Sequence, residues 1–420
     1  MKPIEDIFKE RILNDKLNTS YPLNPSDWSK YRTSDRLQFA ETEELSFYVH
    51  IPFCQNLCSF CEYTRMRCPE KDLQRHYLDV LNADIKTFIN KHQYLVLRGF
   101  DIGGGTPTAL NDDNFACLMD IYKSSVSSIH LAPDFEPSIE GTFQTLSEKK
   151  LQLISDSGIR RLSFGVQSTS GKVLSVGMRT GTSFAVMNHW IKYAKYLGIR
   201  KINLDLMYGL KWQKFNDLEK DIAKLVLLKP DQITLYELRT NTLGVDGYMS
   251  KDDLFRSYCL LYTGLTSIGY HARFGQNTFS INTDDFGVSS YLRCRMLDGI
   301  PYKGFGISAQ SMNSQGVSYN AGKNKIDLSS YLNLEAYNEE YSYRLPKDEL
   351  LSKYIAVSAY SGRLSLRRCS DILKKDCFLY YKDEIDFCIK HKLMTLEDDI
   401  LYITHDGFKN YGAVFSLFYL

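Results

Sequence analysis

From about residue 46 to 269 the chain switches repeatedly between two hydrophobic periods. Short runs rich in β-branched and aromatic residues read as strands: "SFYVHI", "GFDIGGG", "DFEPSIEG", "RRLSFGV", "KINLDLMYG" and "QITLYEL". Between them lie longer stretches of helical period. In "KDLQRHYLDVLNADIKTFI", Leu73, Tyr77, Val80, Leu81 and Ile85 recur at the spacing of one helix face. Six β–α units in series predict an α/β fold, a partial (β/α)6 barrel of parallel strands joined by crossover helices over 46–269. Ligands of such folds gather at the C-terminal ends of the strands.

Outside this region the pattern changes. Residues 1–45 read as an N-terminal arm. Residues 270–347 follow the barrel, and "GYHARFGQNTFSINTDDFG" at their start reads as loop. Residues 348–420 hold helix-like segments and then "LMTLEDDILYITHDGF", which predicts a small helical or winged-helix-like unit. No apolar run approaches the 18 or so residues of a membrane span. The first residues, "MKPIEDIFKERILND", lack the apolar core of a secretory signal. The expectation is a cytosolic monomer whose ten cysteines stay reduced. Lys plus Arg number 51 against 50 Asp plus Glu, a balance that argues against nucleic acid as partner.

The cysteines are unevenly placed. "YVHIPFCQNLCSFCEY" sets Cys54, Cys58 and Cys61 in a C-x3-C-x2-C loop directly after the first strand. The triple glycine Gly103, Gly104, Gly105 ends the second strand, so topology brings both to one edge. Structural zinc sites and closed iron–sulfur cubes want four protein ligands. Three thiolates with one metal position open suit a cluster that does chemistry. The alternatives are three unrelated core cysteines, or a zinc site completed from afar, with Cys68 the nearest candidate.

"YVHIPFCQNLCSFC" resembles the cluster loop of radical S-adenosylmethionine (SAM) enzymes, in the branch of oxygen-independent coproporphyrinogen III oxidase. "DIGGGTPTAL" (101–110), "SEKKLQLISDSGIRRLSFGVQS" (147–168), "GIRKINLDLMYGL" (198–210) and "YKGFGISAQS" (302–311) are similar to later blocks of that branch, and "NTSYP" (18–22) to its arm. The resemblance implies a [4Fe–4S] cluster on Cys54, Cys58 and Cys61, with SAM chelating the open iron. Reductive cleavage of that SAM gives a 5′-deoxyadenosyl radical. It also implies a flavodoxin- or ferredoxin-type electron donor and a small-molecule substrate.

By the same resemblance, Gly103, Gly104, Gly105 and Thr106 form the edge that meets the SAM ammonium. Glu140 binds SAM, with Glu136 as competitor. Gln167, Arg179 and Asp205 contact a SAM molecule, and Tyr48 lies beside cluster and SAM. Phe60 packs over the cluster. Gln310 lies where the family closes over a second SAM. His50 shares a strand face with Tyr48 by the two-residue period and reads as a hydrogen-bonding residue, not a metal ligand.

Two departures from the family pattern bear on substrate, and a third on the local backbone. Tyr63 stands where the porphyrinogen oxidase has a further cysteine. "GLKWQ" (209–213) replaces "GLPGQ". Met178 replaces the glycine before Arg179. The missing cysteine, a trait that class C radical SAM methyltransferases and cyclopropanases share, and the scatter of Arg65, Arg67, Arg293 and Arg295 without a dense basic cluster point to a two-SAM enzyme that methylates or cyclopropanates an unsaturated or aromatic small molecule. The alternatives are an anaerobic tetrapyrrole enzyme (a coproporphyrinogen III decarboxylase or a haem-degrading methyltransferase) and a haem carrier.

Overall fold

The computed structural model describes residues 2–13, 21–22, 25–40, 43–239, 243–322, 328–333 and 339–419. Six parallel strands lie side by side in chain order: β1 (Glu44–Ile51), β2 (Val96–Gly104), β3 (Ser138–Gly141), β4 (Arg161–Gln167), β5 (Lys201–Tyr208) and β6 (Gln232–Glu237). After them come, in turn, α1 (Lys71–Lys91), α2 (Asp112–Val126), α3 (Glu148–Asp156), α4 (Phe184–Tyr196), α5 (Phe215–Leu228) and α6 (Lys251–Ser267). β1 is buried on both faces, as a parallel strand covered by helices must be, which is why its sequence runs apolar without strict alternation. Helix starts follow local chemistry. The Asn111 side chain accepts from the amides of Asp113 and Asn114, and Ser147, Ser183 and Ser250 cap α3, α4 and α6 in the same way.

The inward face of α1 differs from the sequence expectation at one position. Leu73 is exposed, and Gln74 takes the buried place. The Gln74 amide donates to Pro69 O at 2.8 Å, and its carbonyl accepts from Asn111 N at 3.1 Å. A satisfied amide can sit inside where an unpartnered one could not. A second difference concerns "GYHARFGQNTFSINTDDFG". It is not loop throughout: β7 (Thr278–Ser280) pairs antiparallel with β6. Three residues at a sheet edge are too few for a periodic signal.

On the other side the sheet continues through β8 (Tyr302–Phe305), which lies parallel to β1, then antiparallel β9 (Gln310–Asn313), β10 (Gly316–Asn320) and β11 (Glu339–Arg344). Residues Arg32–Thr33 of the arm pair with β11. Of "NTSYP", residues 18–20 lie outside the described residues. The rest of the arm is tied to α7 (Lys347–Ser358). The Glu349 carboxylate accepts from Tyr21 Oη at 2.7 Å, Trp28 Nε1 at 2.9 Å and Tyr31 Oη at 3.3 Å. Lys353 Nζ donates to Tyr21 O at 3.0 Å. Beyond α7, strands Arg363–Ser365, Met394–Glu397 and Ile400–Ile403 form a separate antiparallel sheet beside short helices. Among the described residues no helix is long and apolar enough to cross a membrane.

Glu349 therefore joins three aromatic donors of the arm to one helix. Glu349→Ala should cost roughly 1–3 kcal/mol, as expected for hydrogen bonds to a charged acceptor, and should speed tryptic cleavage of the arm. Chemical denaturation and timed proteolysis check this; unchanged stability with an equally protected arm would contradict the assignment.

Candidate active site

The C-terminal ends of β1 and β2 are joined beyond the strands themselves. Gly105 N donates to Ile51 O and Thr106 N to Phe53 O, both at 2.8 Å. Thr106 Oγ1 reaches Cys54 Sγ at 3.6 Å. The three glycines make this approach possible. A Cβ on Gly103 would stand 2.6 Å from Glu140 Cδ, and one on Gly105 2.7 Å from the Pro52 carbonyl carbon. Gly104 has φ +111°, and its missing Cβ would overlap the His50 ring. His50 is neutral: burial pulls its pKa down to about 4, and its ring nitrogens face Tyr48 Oη at 3.3 Å and Thr64 O at 2.8 Å. The hydrogen-bonding reading of His50 fits this geometry.

Cys54, Cys58 and Cys61 lie within electrostatic reach of one another, and none is in a disulfide. Among the described residues no group of three His, Cys, Asp or Glu side chains converges on a point that could hold a single metal ion. Cys68 is engaged elsewhere, with Sγ 3.4 Å from Ala109 O and 3.3 Å from Gln74 Nε2. Cys68, the candidate for completing a zinc site, thus has its thiol on other partners. Burial pushes the Cys54 and Cys61 thiols up, so as thiolates they need compensating positive charge. Part of it stands nearby. Arg179 lies 3.5 Å from Cys58 Sγ and also donates to Gly165 O. Arg65 donates to Cys58 O at 2.6 Å. The Phe60 ring packs on Gly177 and on the apolar group Val173, Leu210 and Leu238.

Beside the loop is a ring of acids. Glu140 is walled by protein yet reachable by solvent, as a side chain facing a lumen is. Its Oε2 accepts from Gly104 N at 3.2 Å. Asp205 accepts from Asn203 Nδ2 at 2.8 Å and Ser163 Oγ at 3.3 Å. Asp101 accepts from Ser289 Oγ at 2.5 Å, and its other oxygen is buried without a partner. Burial pushes both aspartates up to about 7, and the nearby Glu140 adds to the rise. Arg161 opposes it: buried, and fixed by Gln232 Oε1 at 2.8 Å and Ser138 Oγ at 2.9 Å, it lowers all three carboxyls. Gln167 ends β4 at φ +68° with Oε1 buried and unpartnered. A strained residue holding an unused acceptor is the kind of feature that collects at ligand sites. The competitor Glu136 is paired instead with Lys201 at 2.9 Å.

A third group comes from later in the chain. Tyr48 stacks on Tyr291 at 5.5 Å. Gln310 accepts from Tyr302 and donates to Tyr319 Oη at 2.5 Å. Tyr63 is exposed but walled by protein, within reach of Glu140 and Arg295.

The fold thus brings Cys54, Cys58, Cys61, Thr106, Glu140, Arg179 and the glycine turn together, with Asp205 among the acids. It sets Gln310 in the tyrosine group, away from the thiols. Sequence reading missed Asp101 and Arg161. Asp101 lies opposite Tyr48 in the strand register, so its two-residue spacing from Gly103 was an available signal. Nothing in "RRLSFG" separates inward Arg161 from outward Arg160. Met178 and Trp212, which stand where the family pattern has glycine, take left-handed backbone at φ +55° and φ +64°. The residues present fit an open [4Fe–4S] cluster with a cationic ligand. Three free thiols supply the donors, Gly103 leaves room before Glu140, and Gln167 and Asp101 hold unspent acceptors.

Asp101 gives a pH test of this cofactor-free geometry. Its folded carboxyl holds a proton more tightly than the unfolded one, whose pKa is about 4. That contribution to stability is complete below about pH 4 and is lost as pH rises through about 7. Asp101→Asn, neutral throughout, should flatten part of the decline in stability between those values. Denaturant titrations across the range check it, and a slope identical to wild type would count against the buried carboxyl.

Comparison with known proteins agrees with this geometry. The model of the Radical SAM superfamily matches residues 48–222. The heme chaperone HemW of Bacillus subtilis is 26% identical over 390 residues, covering 89% of this chain and 98% of that protein. The oxygen-independent coproporphyrinogen III oxidase of Salmonella typhimurium is 31% identical over 199 residues, 46% of this chain and 41% of that one. Among solved structures, coproporphyrinogen III oxidase (HemN) from Escherichia coli superposes with a TM-score of 0.77 at 21% identity, covering 96% of this chain and 97% of that chain, which establishes a common fold. Residues 48–222 thus match the Radical SAM superfamily and the chain is similar to the HemN-like branch, a likeness that implies a [4Fe–4S] cluster and SAM as cofactors.

Proposed function

We propose that this protein is a haem- or porphyrin-handling member of the branch, holding a flat conjugated ligand in the tyrosine-lined lumen beside a radical SAM centre. The observation that carries the ligand class is the packed aromatic group of Tyr48, Tyr291, Tyr302 and Tyr319, with the exposed Tyr63 within reach of Glu140. Support for haem as that ligand comes from the whole-length similarity to a heme chaperone. When bound, cluster and SAM supply a carbon-centred radical by one-electron cleavage of the sulfonium.

In this reading Cys54, Cys58 and Cys61 hold the cluster, and Phe60 keeps water from it. The turn at Gly103, Gly104, Gly105 and Thr106, with Glu140, receives the SAM ammonium. Asp205 takes ribose hydroxyls, and the Gln167 carbonyl adds an acceptor. Arg179, between Cys58 and Gly165, meets the carboxylate. Tyr48 orients the ligand through its stack on Tyr291.

A second reading is two-SAM C-methylation or cyclopropanation of a smaller aromatic or unsaturated molecule. It is favoured by Tyr63 in place of the further cysteine, since that side chain fills part of the lumen. Gln310 would then close over the second SAM.

Gly103→Ala should displace the Glu140 carboxyl and weaken SAM binding about tenfold, the usual worth of one charge-assisted hydrogen bond, with the cluster absorption kept. Equilibrium dialysis with SAM measures this, and unchanged affinity removes Glu140 from the SAM site. The function itself is tested anaerobically with haem, coproporphyrinogen III and deuterated-methyl SAM. Cys58→Ala, which should lack cluster absorption, sets the background. Stoichiometric haem binding with little deoxyadenosine indicates a carrier. Deoxyadenosine with methionine and CO2 indicates decarboxylation. Label transfer to haem, with S-adenosylhomocysteine, indicates the haem-degrading alternative. Indifference to both tetrapyrroles refutes the haem reading.

A further inference from the structure

Four arginines follow the cysteine loop or precede β8, and the fold sends them to different places. Arg67 is exposed. Arg65 is spent on Cys58 O and Tyr63 O. Arg293 faces solvent and pairs with Asp298 at 3.8 Å. Arg295 turns inward. It sits on a single π-helical turn, Cys294–Asp298, closed by Gly299 at φ +62°. Such turns redirect side chains and collect at functional sites.

The surroundings of Arg295 are aromatic and neutral. Its guanidinium lies 5.1 Å from the centre of the Tyr302 ring, and Nη2 reaches Gln310 Oε1 at only 3.5 Å. The Tyr291 and Tyr302 hydroxyls are hydrogen-bond partners of the guanidinium, and Tyr63 completes the surround. Burial pushes the hydroxyls of Tyr63, Tyr291 and Tyr302 up, so none carries negative charge near neutrality. Nε is buried and has no acceptor. Among the described residues no carboxylate pairs with Arg295. The lumen acids are occupied elsewhere, Asp101 by Ser289 and Glu140 by Gly104, both over Arg161. A guanidinium walled in by protein without a counter-ion is costly, and a bound anion removes that cost.

We propose that Arg295 anchors a carboxylate carried by the substrate, beside the exposed ring of Tyr63. The guanidinium fork matches a carboxylate through two parallel hydrogen bonds, and Nε with one terminal nitrogen forms such a fork. Cation–π contact with Tyr302 holds the group in place when no anion is bound. The site is then polarised: carboxyls face the cationic cofactor, and Arg295 faces an anionic substituent. This assignment requires a ligand in the lumen, and holds whether that ligand is a tetrapyrrole or a smaller aromatic acid.

The test uses cluster-loaded, SAM-bound protein under anaerobic conditions and two probes of one shape, 1-naphthoate and 1-naphthalenemethanol. Wild type should bind the carboxylate about tenfold more tightly or better, the worth of a charge-assisted pair. In Arg295→Gln the two affinities should become equal within about twofold, and Arg295→Lys should keep an intermediate preference. Circular dichroism and the unfolding midpoint establish that each variant is folded. Equal binding of both probes by wild type overturns the proposal even if Arg295→Gln does not fold. So does a preference unchanged in Arg295→Gln, including the case where that variant loses affinity for SAM instead, which would place a SAM carboxylate on Arg295. Because the readout is probe binding and not turnover, it can fail while haem binding or methyl transfer stands, and the reverse.

Discussion

The contact on which the rest depends is the meeting of the glycine turn after β2 with the chain that leaves β1. Two amide-to-carbonyl bonds, Gly105 to Ile51 and Thr106 to Phe53, extend the strand pairing past the end of the sheet. They fix the start of the cysteine loop against Thr106, and so fix Cys54. The same turn has Glu140, His50 and Pro52 packed where side chains would otherwise be. Three adjacent residues without Cβ atoms thus let three separate pieces of chain approach one point. Replacing any one of them would separate the thiols from the acids, because each excludes a different neighbour.

Charge then organises what this contact brings together. Glu140, Asp101 and Asp205 share one buried counter-charge, Arg161, and two of them rise to about 7 as a result of burial and mutual proximity. An acid ring left undercompensated by protein is matched to a ligand that arrives with positive charge. A sulfonium with an ammonium group is such a ligand. The cysteine loop has the converse need, since buried thiolates require cationic partners and Arg179 and Arg65 supply only part. A cluster and a sulfonium nucleotide have the charges that these two needs call for.

The legible part of this was local. Each of the six parallel strands announced itself by composition, and the cysteine loop and triple glycine could be set on one edge from topology alone. The family pattern added Glu140 and Asp205, which composition could not have singled out. What escaped was decided by tertiary partners. Gln74 is inside only because Asn111 and Pro69 satisfy it, and Leu73 is left outside. β7 exists because β6 offers an open edge. Met178 and Trp212 stand where the family pattern has glycine. Both take left-handed backbone, at a cost in strain that neighbouring structure must hold. Trp212, packed on Gly247, shows one such constraint.

The tyrosine group was the least visible from sequence, and its placement follows from one strand. β8 pairs in parallel with β1, with Gly304 opposite Tyr48. The amide of Gly304 donates to Ser311 Oγ at 3.0 Å, and Asn320 Nδ2 reaches the Gly304 and Gly306 carbonyls at 3.2 and 2.8 Å. These bonds lock β9 and β10 onto β8, and with them Gln310 and Tyr319. Tyr48, on β1 itself, stacks on Tyr291 from the segment that leads into β8. β1 therefore carries the cysteines at its end and the ligand wall along its flank. The position of the tyrosine group relative to the cysteine loop follows the register of that one strand pair. A slip of that register by one residue would turn Tyr48 to the opposite face, which makes β1 the element least free to vary.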